Sequence, residues 1–353
     1  MERTYLFSAR TEGTCLHRIP AVVVSLRGTV LAFCEARRRN GKDDDDIDIV
    51  LKRRDPVTGI WSWPKIIYDK GPDCRDTIGN PCPVIDAATG DVVLLFCRNN
   101  HQAYVTRSAD DGLTWSAPVE ITSLFRGFDF SVVRVATGPL HGLRMTGGRL
   151  VIPVWLSDGE HRQTTPRSYR SAVLLSDDGG RTWRRGGMPQ ATVRDMNECA
   201  VAETSTGGIY LNARAQEAGY RAVCWSDDGG ETWSAPRLDN ALPDPTCQGA
   251  ALNLPAGGRP QRLVFSNIPN NDFSIQLGQR RRGLSLRVSA DDGHTWSPPQ
   301  VIHASRSGYS DLCTLPNGDL GIFYEGGAEG ERSCEQLIFA TMAMAEIEAA
   351  RTA

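Results

Sequence analysis

The stretch from His17 to Arg53 gathers cations and carboxylates at the ends of apolar runs. It reads H-R-I-P-A-V-V-V, then L-A-F-C-E-A-R-R-R-N-G-K-D-D-D-D-I-D-I-V-L-K-R. Arg18 enters one apolar run, Arg37 leaves a second, and four aspartates (Asp43 to Asp46) open a third. Guanidinium groups placed in this way can hold an anion through paired hydrogen bonds, and a carboxyl facing them can carry a proton. Taken singly, each charge reads as a solvated loop end, the usual place for such a residue. The turn L-R-G-T around Gly28 makes the first two runs a β-hairpin, so the charges sit at hairpin ends.

The elements that must carry these residues are marked by a repeated octapeptide. It occurs as Ser108-A-D-D-G-L-T-Trp115, Ser176-D-D-G-G-R-T-Trp183, Ser226-D-D-G-G-E-T-Trp233 and Ser289-A-D-D-G-H-T-Trp296. A degenerate fifth copy runs from Asp55 to Trp61. The chemistry of the octapeptide is that of a turn. Asp accepts hydrogen bonds from amides of its own loop, Gly supplies a positive φ, and Thr closes the loop. Trp then fills the apolar space between neighbouring sheets. Each copy follows a β-rich run such as A-V-L-L (172–175) or L-S-L-R-V (284–288), so it joins two strands of one sheet. Successive copies start 68, 50 and 63 residues apart, too long for helical solenoid repeats and suited to four-stranded blades. The 353 residues then make an all-β, six-bladed β-propeller of four-stranded antiparallel blades, one domain over 1–353. Closure pairs an N-terminal strand (Tyr5 to Phe7) with the last blade. Helical periodicity is almost absent until M-A-E-I-E-A-A-R near the C-terminus.

Composition sets the partners. Hydrophobic residues make up 40% and charged residues 23%, as in ordinary soluble proteins, and the net charge of −3 argues against nucleic acid or an anionic membrane as partner. The arginine runs 37–39 and 280–282 do not change this, with acidic residues beside one of them. No apolar run is long enough to span a bilayer, and the first ten residues lack the apolar core of an export signal, so a cytoplasmic location is expected. Of ten cysteines, Cys34, Cys97, Cys199, Cys224 and Cys313 lie in or beside apolar runs, and no C-x-x-C pair occurs. They read as reduced core thiols, with neither a zinc site nor a redox pair. His17 and His141 have no metal-ligand partners at useful spacing and read as loop histidines; no metal or cofactor is expected.

The octapeptide is the mark called the Asp box and resembles the repeats of sialidases; on its own it implies a fold and no chemistry. Further segments resemble the exo-α-sialidase (neuraminidase) family in order along nearly the whole chain. The Arg-Ile-Pro of 18–20 resembles the motif that opens the family's catalytic domain. N-E-C-A-V-A-E (197–203) with L-N-A-R (211–214) resembles its glutamate and second-arginine segment, and R-R-G-L-S-L-R-V-S (281–289) its third-arginine segment. S-G-Y-S-D-L (307–312) resembles the catalytic tyrosine segment, and G-N-P-C-P-V, A-T-G-P, G-R-L-V-I-P and I-F-Y-E-G also fit.

The resemblance implies a retaining exo-glycosidase acting on terminal α-ketosidic sialic acids of glycans. Arg18, Arg214 and Arg281 would clamp the sugar's carboxylate, with Arg280 and Arg282 beside the last as alternatives of register. Tyr309 would be the nucleophile, a phenol being less repelled by that carboxylate than a carboxylate nucleophile would be. Glu198 would take its proton, and Asp43, or Asp44 one place on, would protonate the leaving oxygen. Arg37 and Asn80 would line the pocket, and Glu325 would orient Arg18 from behind. One segment departs from the family: F-S-V-V-R-V (130–135) carries Val133 and Arg134 where relatives place tryptophan. That leaves two other readings, a hydrolase preferring deaminated sialic acid or another 2-keto-3-deoxy sugar acid, and a carbohydrate-binding propeller without catalysis.

Overall fold

The computed structural model describes residues 1–68, 76–160, 168–216, 218–254 and 262–349. Four sheets follow one another along the chain, and within each the main strands are neighbours in sequence order. The first holds Leu16–Val24, Val30–Arg37, Ile47–Arg54 and Lys65–Tyr68; the second holds Ile78–Ile85, Val92–Arg98, Gln102–Ser108 and Val119–Glu120. The third is built on Arg134–Thr137, Leu150–Ser157, Tyr169–Ser176 and Arg184–Arg185, and the fourth on Met196–Glu203, Ile209–Ala215, Tyr220–Ser226 and Arg237–Pro243.

A fifth sheet has seven strands. Its Gln300–Thr314 strand pairs with Arg282–Ser289 through its first half and with Leu320–Gly326 through its second. Counting the halves of this strand separately divides the sheet into two four-stranded units, which is what six blades require; by hydrogen bonding alone there are five sheets. The strand Glu2–Ser8 pairs antiparallel with Gln336–Met342, as closure of the ring demands. All pairings between these strands are antiparallel.

Burial explains why the strand sequences look as they do. Every residue of Val30–Arg37, Leu150–Ser157 and Met196–Glu203 is buried, whereas the outermost strands Val119–Glu120 and Arg184–Arg185 are exposed. A strand covered on both faces by neighbouring sheets needs apolar residues without alternation, hence runs such as L-V-I-P-V-W-L.

The octapeptides join the third and fourth strands of their sheets. In each copy Asp receives the Thr amide and hydroxyl: Thr114 to Asp110, Thr182 to Asp178, Thr232 to Asp228 and Thr295 to Asp291, at 2.5–2.9 Å. The Ser hydroxyl accepts the amide of the loop glycine, which has the expected positive φ (82° at Gly112, 80° at Gly180). Asp55 takes the amides of Val57 and Thr58 in the same place of the first sheet, so the degenerate copy does the same work. The tryptophans sit between sheets: Trp115 meets Phe33 of the first sheet edge-on at 5.9 Å, and Trp61 meets Phe339 at 5.1 Å. Trp296 lies 5.9 Å from Tyr210 and 5.8 Å from Phe265, contacts that add about 0.5–1.5 kcal/mol each to burial.

Nine cysteines lie among the described residues, all free and seven of them buried; Cys74 lies outside them. Burial pushes the thiols of Cys97 and Cys247 up to about 11. Of the two histidines, His141 lies in a loop as expected, whereas His17 lies in a strand. His17 is buried within the first strand of the first sheet against Phe7, where burial lowers its pKa to about 4. His141 places Nδ1 2.6 Å from Asp311 Oδ1, and the other oxygen of Asp311 accepts the amides of Val22 and His141. One buried carboxylate thus ties the first sheet, the third sheet's approach and the last sheet together. The C-terminal helix is present (Met344–Ala349), as is a 3₁₀ turn at Thr122–Gly127 and a single helical turn at Leu277–Arg280 that periodicity did not reveal. No described helix is long and apolar enough to cross a membrane, and no group of metal-ligating residues occurs among the described residues.

Candidate active site

The strands facing the centre are irregular where they deliver functional groups. Pairing shifts between Arg18 and Ala21, between Gly79 and Cys82, between Met196 and Cys199, and between Ser307 and Ser310. Each irregularity presents a candidate residue: Arg18, Asn80, Glu198 and Tyr309. A bulge turns a strand locally and re-aims a side chain, which a regular strand covered on both faces does not allow. Ile19 and Asn80 take positive φ (60° and 55°), and each precedes a proline. For a β-branched isoleucine that conformation is strained and needs support. Support comes from Glu325, whose Oε1 accepts the Ile19 amide at 3.0 Å, and from Glu35, whose Oε1 accepts the Asn80 amide at 2.9 Å.

Tyr309 is the hub. Its side chain is 5% exposed, and its hydroxyl donates to Glu198 Oε1 at 2.6 Å. Arg214 Nη1 lies 2.7 Å from Glu198 Oε2 and 3.0 Å from the phenol oxygen. The guanidinium carbons of Arg18 and Arg281 stand 5.0 and 5.6 Å from the Tyr309 ring centre. Arginines from the first sheet, the fourth sheet and the turn just before strand Arg282–Ser289 therefore surround one phenol. Burial, and then the charge of Glu198, raise the phenol's pKa above its ordinary value, while the three arginines pull it down by less. The resting side chain is a neutral phenol.

Arg18 is held by a fully buried Glu325 through Nε at 3.0 Å and Nη2 at 3.2 Å, a paired contact that fixes the guanidinium plane. Arg281 gives Nη2 to the Thr246 carbonyl at 2.6 Å. Its neighbours go elsewhere: Arg280 stacks on Phe273 with 4.0 Å to the ring centre, and Arg282 pairs with Glu329. The register chosen from sequence is the one that reaches the tyrosine. Arg37 is buried, with Nε and Nη2 on Glu35 Oε2 and Nη1 2.7 Å from Asp43 Oδ1. Asp43 is half-exposed and also lies 3.6 Å from Arg18 Nη1, whereas Asp44 lies outside the pocket lining. The concave pocket so formed is lined by Arg18, Arg37, Asp43, Asn80, Glu198, Arg214 and Tyr309 among others, an overwhelmingly polar wall.

The family model for the BNR repeat-like domain matches residues 28–322. An exo-alpha-sialidase of Arthroderma benhamiae is 30% identical over 312 residues, covering 78% of this chain and 67% of that protein. The chain belongs to the sialidase family. Sialidase-3 of Bos taurus is 29% identical over 397 residues, covering 95% of this chain and 91% of its own. The structure of the Hadza microbial sialidase Hz136 superposes with a TM-score of 0.82 at 26% identity, covering 96% of this chain and 68% of that one. This chain is accordingly a glycoside hydrolase of the sialidase kind.

Within this sialidase pocket several residues escaped the sequence reading. Glu35 is buried and joins Arg37 to the Asn80 backbone, and a Cβ on Gly79 would stand 2.3 Å from it. Gln216 receives Arg214 Nη2 at 3.3 Å. Trp155 and Tyr169, edge-on to each other at 5.8 Å, line the wall from the third sheet. They supply aromatic surface beside the segment 130–135, of which only Arg134 and Val135 lie in a strand (Arg134–Thr137), and Arg134 packs on Trp155 with 5.6 Å to the ring centre. The motif G-R-L-V-I-P ended two residues short of Trp155; following its strand to the far end was the signal available.

Proposed function

We propose that this sialidase removes terminal sialic acid from glycans with net retention, through Tyr309. The observation that carries the reading is the 2.6 Å hydrogen bond from the Tyr309 hydroxyl to Glu198, with Arg214 against both groups. Arg18, Arg214 and Arg281 bind the sugar carboxylate and hold the anomeric carbon over the phenol oxygen. As the phenol attacks, its proton passes to Glu198, so a neutral nucleophile gains strength only in the transition state. The new bond joins Tyr309 to the anomeric carbon and the glycosidic bond breaks. Asp43 gives the leaving oxygen a proton; a bound sugar covers this carboxyl and withdraws it from water, which favours the protonated form against the pull of Arg37 and Arg18 toward the carboxylate. Water then attacks from the face the leaving group vacated and gives a proton to Asp43, while the bond to Tyr309 breaks and Glu198 returns its proton to the phenol oxygen; this second displacement restores the original anomer.

The test is hydrolysis of a fluorogenic N-acetylneuraminic α-ketoside, with NMR of the first-formed anomer. Tyr309→Phe is expected to lose more than about 10²-fold in kcat while still binding the sugar, and the wild type to release the α-anomer first. Equal turnover of mutant and wild type overturns the reading. Absence of wild-type turnover with sugar bound makes the chain a binding propeller.

A second reading of the substrate rests on Arg134, which is buried in the pocket wall beside Trp155, with Asn80 and Asn100 also lining it. A cationic, amide-rich wall favours a hydroxyl over an acetamido group. The deaminated analogue of the same fluorogenic substrate decides: a higher kcat/KM for it supports this reading, a lower one the first.

A further inference from the structure

Tyr309 projects from a bulge in a strand, and its precise placement therefore needs something other than a regular ladder. Between Ser307 and Ser310 the strand carries one residue more than its partner, and side chains from elsewhere take hold of the backbone there. Glu325 Oε2 accepts the Tyr309 amide at 3.1 Å. The carboxamide of Gln248 holds the next residue twice: Oε1 accepts the Ser310 amide and Nε2 donates to the Ser310 carbonyl, each at 3.0 Å. Ser266 Oγ meets Ser310 Oγ at 2.8 Å. Gln248 is 2% exposed and lines no part of the substrate pocket.

The loop that carries Gln248 reaches the site in two further ways. Thr246, at a φ of 65°, offers the carbonyl that receives Arg281 Nη2. Cys247 packs with Ile19 and Ile268 against Tyr309 itself. The loop is in turn pinned from below by Arg221, wholly buried, which donates to Asp244 Oδ2 at 3.2 Å, to the Cys247 carbonyl and to Asn212 Oδ1 at 2.6 Å. Asn212 stands two residues before Arg214 on the same strand.

We propose that Gln248 is a positioning residue for the reaction. Its carboxamide sets the bulge that aims the phenol, and its loop sets Arg281 against that phenol, so three consecutive residues fix the distance from nucleophile to carboxylate clamp. This rests on the nucleophilic role of Tyr309 given above. Misplacement of a reacting atom by about 1 Å can cost on the order of 10²-fold, so the bulge is a place where a buried amide governs rate.

The test compares Gln248→Met, close in volume but unable to make either bond, with Gln248→Glu, whose neutral form offers one donor and one acceptor as the carboxamide does. In Gln248→Met, kcat on the fluorogenic substrate is expected to fall about 10–100-fold while KM changes less than about 3-fold. Gln248→Glu is expected to regain kcat relative to wild type as pH is lowered. Circular dichroism and melting curves establish the folded fraction of each. Wild-type kcat in folded Gln248→Met overturns the proposal. If that variant does not fold, Gln248→Glu decides, and a kcat ratio to wild type that stays flat with pH overturns it. Failure of the nucleophile reading would appear separately, as full activity in Tyr309→Phe.

Discussion

Four identical residues in a row, Asp43 to Asp46, meet four different surroundings. Asp43 faces Arg37 and Arg18; Asp44 is exposed outside the pocket. Asp45 turns inward and accepts the amides of Arg39, Asn40 and Gly41 at 2.7–3.0 Å, while Asp46 lies 3.4 Å from Arg39. Nothing in a run of one residue type says which member points where; the Asp45 staple decides it by folding the loop back on itself. The assignment of the acid to Asp43 is tested by leaving-group dependence. Asp43→Asn is expected to lose about 10²–10⁴-fold in kcat on a sugar-linked sialoside, whose alkoxide needs protonation, and much less on a phenolic fluorogenic one. Asp44→Asn is expected to stay within about 3-fold on both. Steady-state rates on the two substrates check this. Arg281 is picked out from its neighbours through the family resemblance, which places a strand residue (Leu284) three beyond the arginine; the strand alone does not single it out, because residues 283 to 285 all lie on it. Glu35, Gln216 and Gln248 carry no local mark, since their importance arises from partners 45 and 62 residues away, or from a neighbour two positions along the chain.

At the level of elements the octapeptide loops are acid-sensitive fasteners. Burial opposes ionisation of Asp110 and Asp228, and hydrogen bonds from Thr114 and Thr232, their amides and Ser108 or Ser226 outweigh it; at Asp178 the Thr182 hydroxyl contributes most. All three carboxyls lie at about 2, below an ordinary aspartate near ~3.9. A depressed folded-state value gives stability that is present above the unfolded value and fades as pH falls toward the folded one, here from about pH 4 to about pH 2. Asp178→Ala is expected to cost about 1–2 kcal/mol at neutral pH, and its melting temperature to converge on that of the wild type as pH falls through that window. Thermal melts across pH 2–6 measure it. These loops, the strands they join and the N-terminal closing strand were readable because turn chemistry and apolar runs are local signals. The bulges were half readable. Pro20 and Pro81 inside inner strands mark two of them, since proline cannot donate to a ladder, and Gly308 hints at a third. The fourth, at Asn197–Glu198, has no such residue.

The molecule as a whole is a ring whose ends meet in one sheet. Sequence spacing indicated the repeat, but not that one strand, Gln300–Thr314, runs unbroken through two successive four-stranded units, pairing with Arg282–Ser289 through its first half and with Leu320–Gly326 through its second. The pocket draws on both ends of the chain. The contact of Arg18 with Glu325 bridges 307 positions, and that of Tyr309 with Glu198 bridges 111. Contacts of such range form late, after the entropy of closing long loops has been met. When denaturant-unfolded protein is diluted into buffer, tryptophan fluorescence is expected to recover before turnover of the fluorogenic substrate. Simultaneous recovery would mean that the ring assembles in a single step. Because Arg18 is steadied only once Glu325 has arrived beside it, catalysis itself becomes a stopwatch for the last join of the circle, read without any label on the protein.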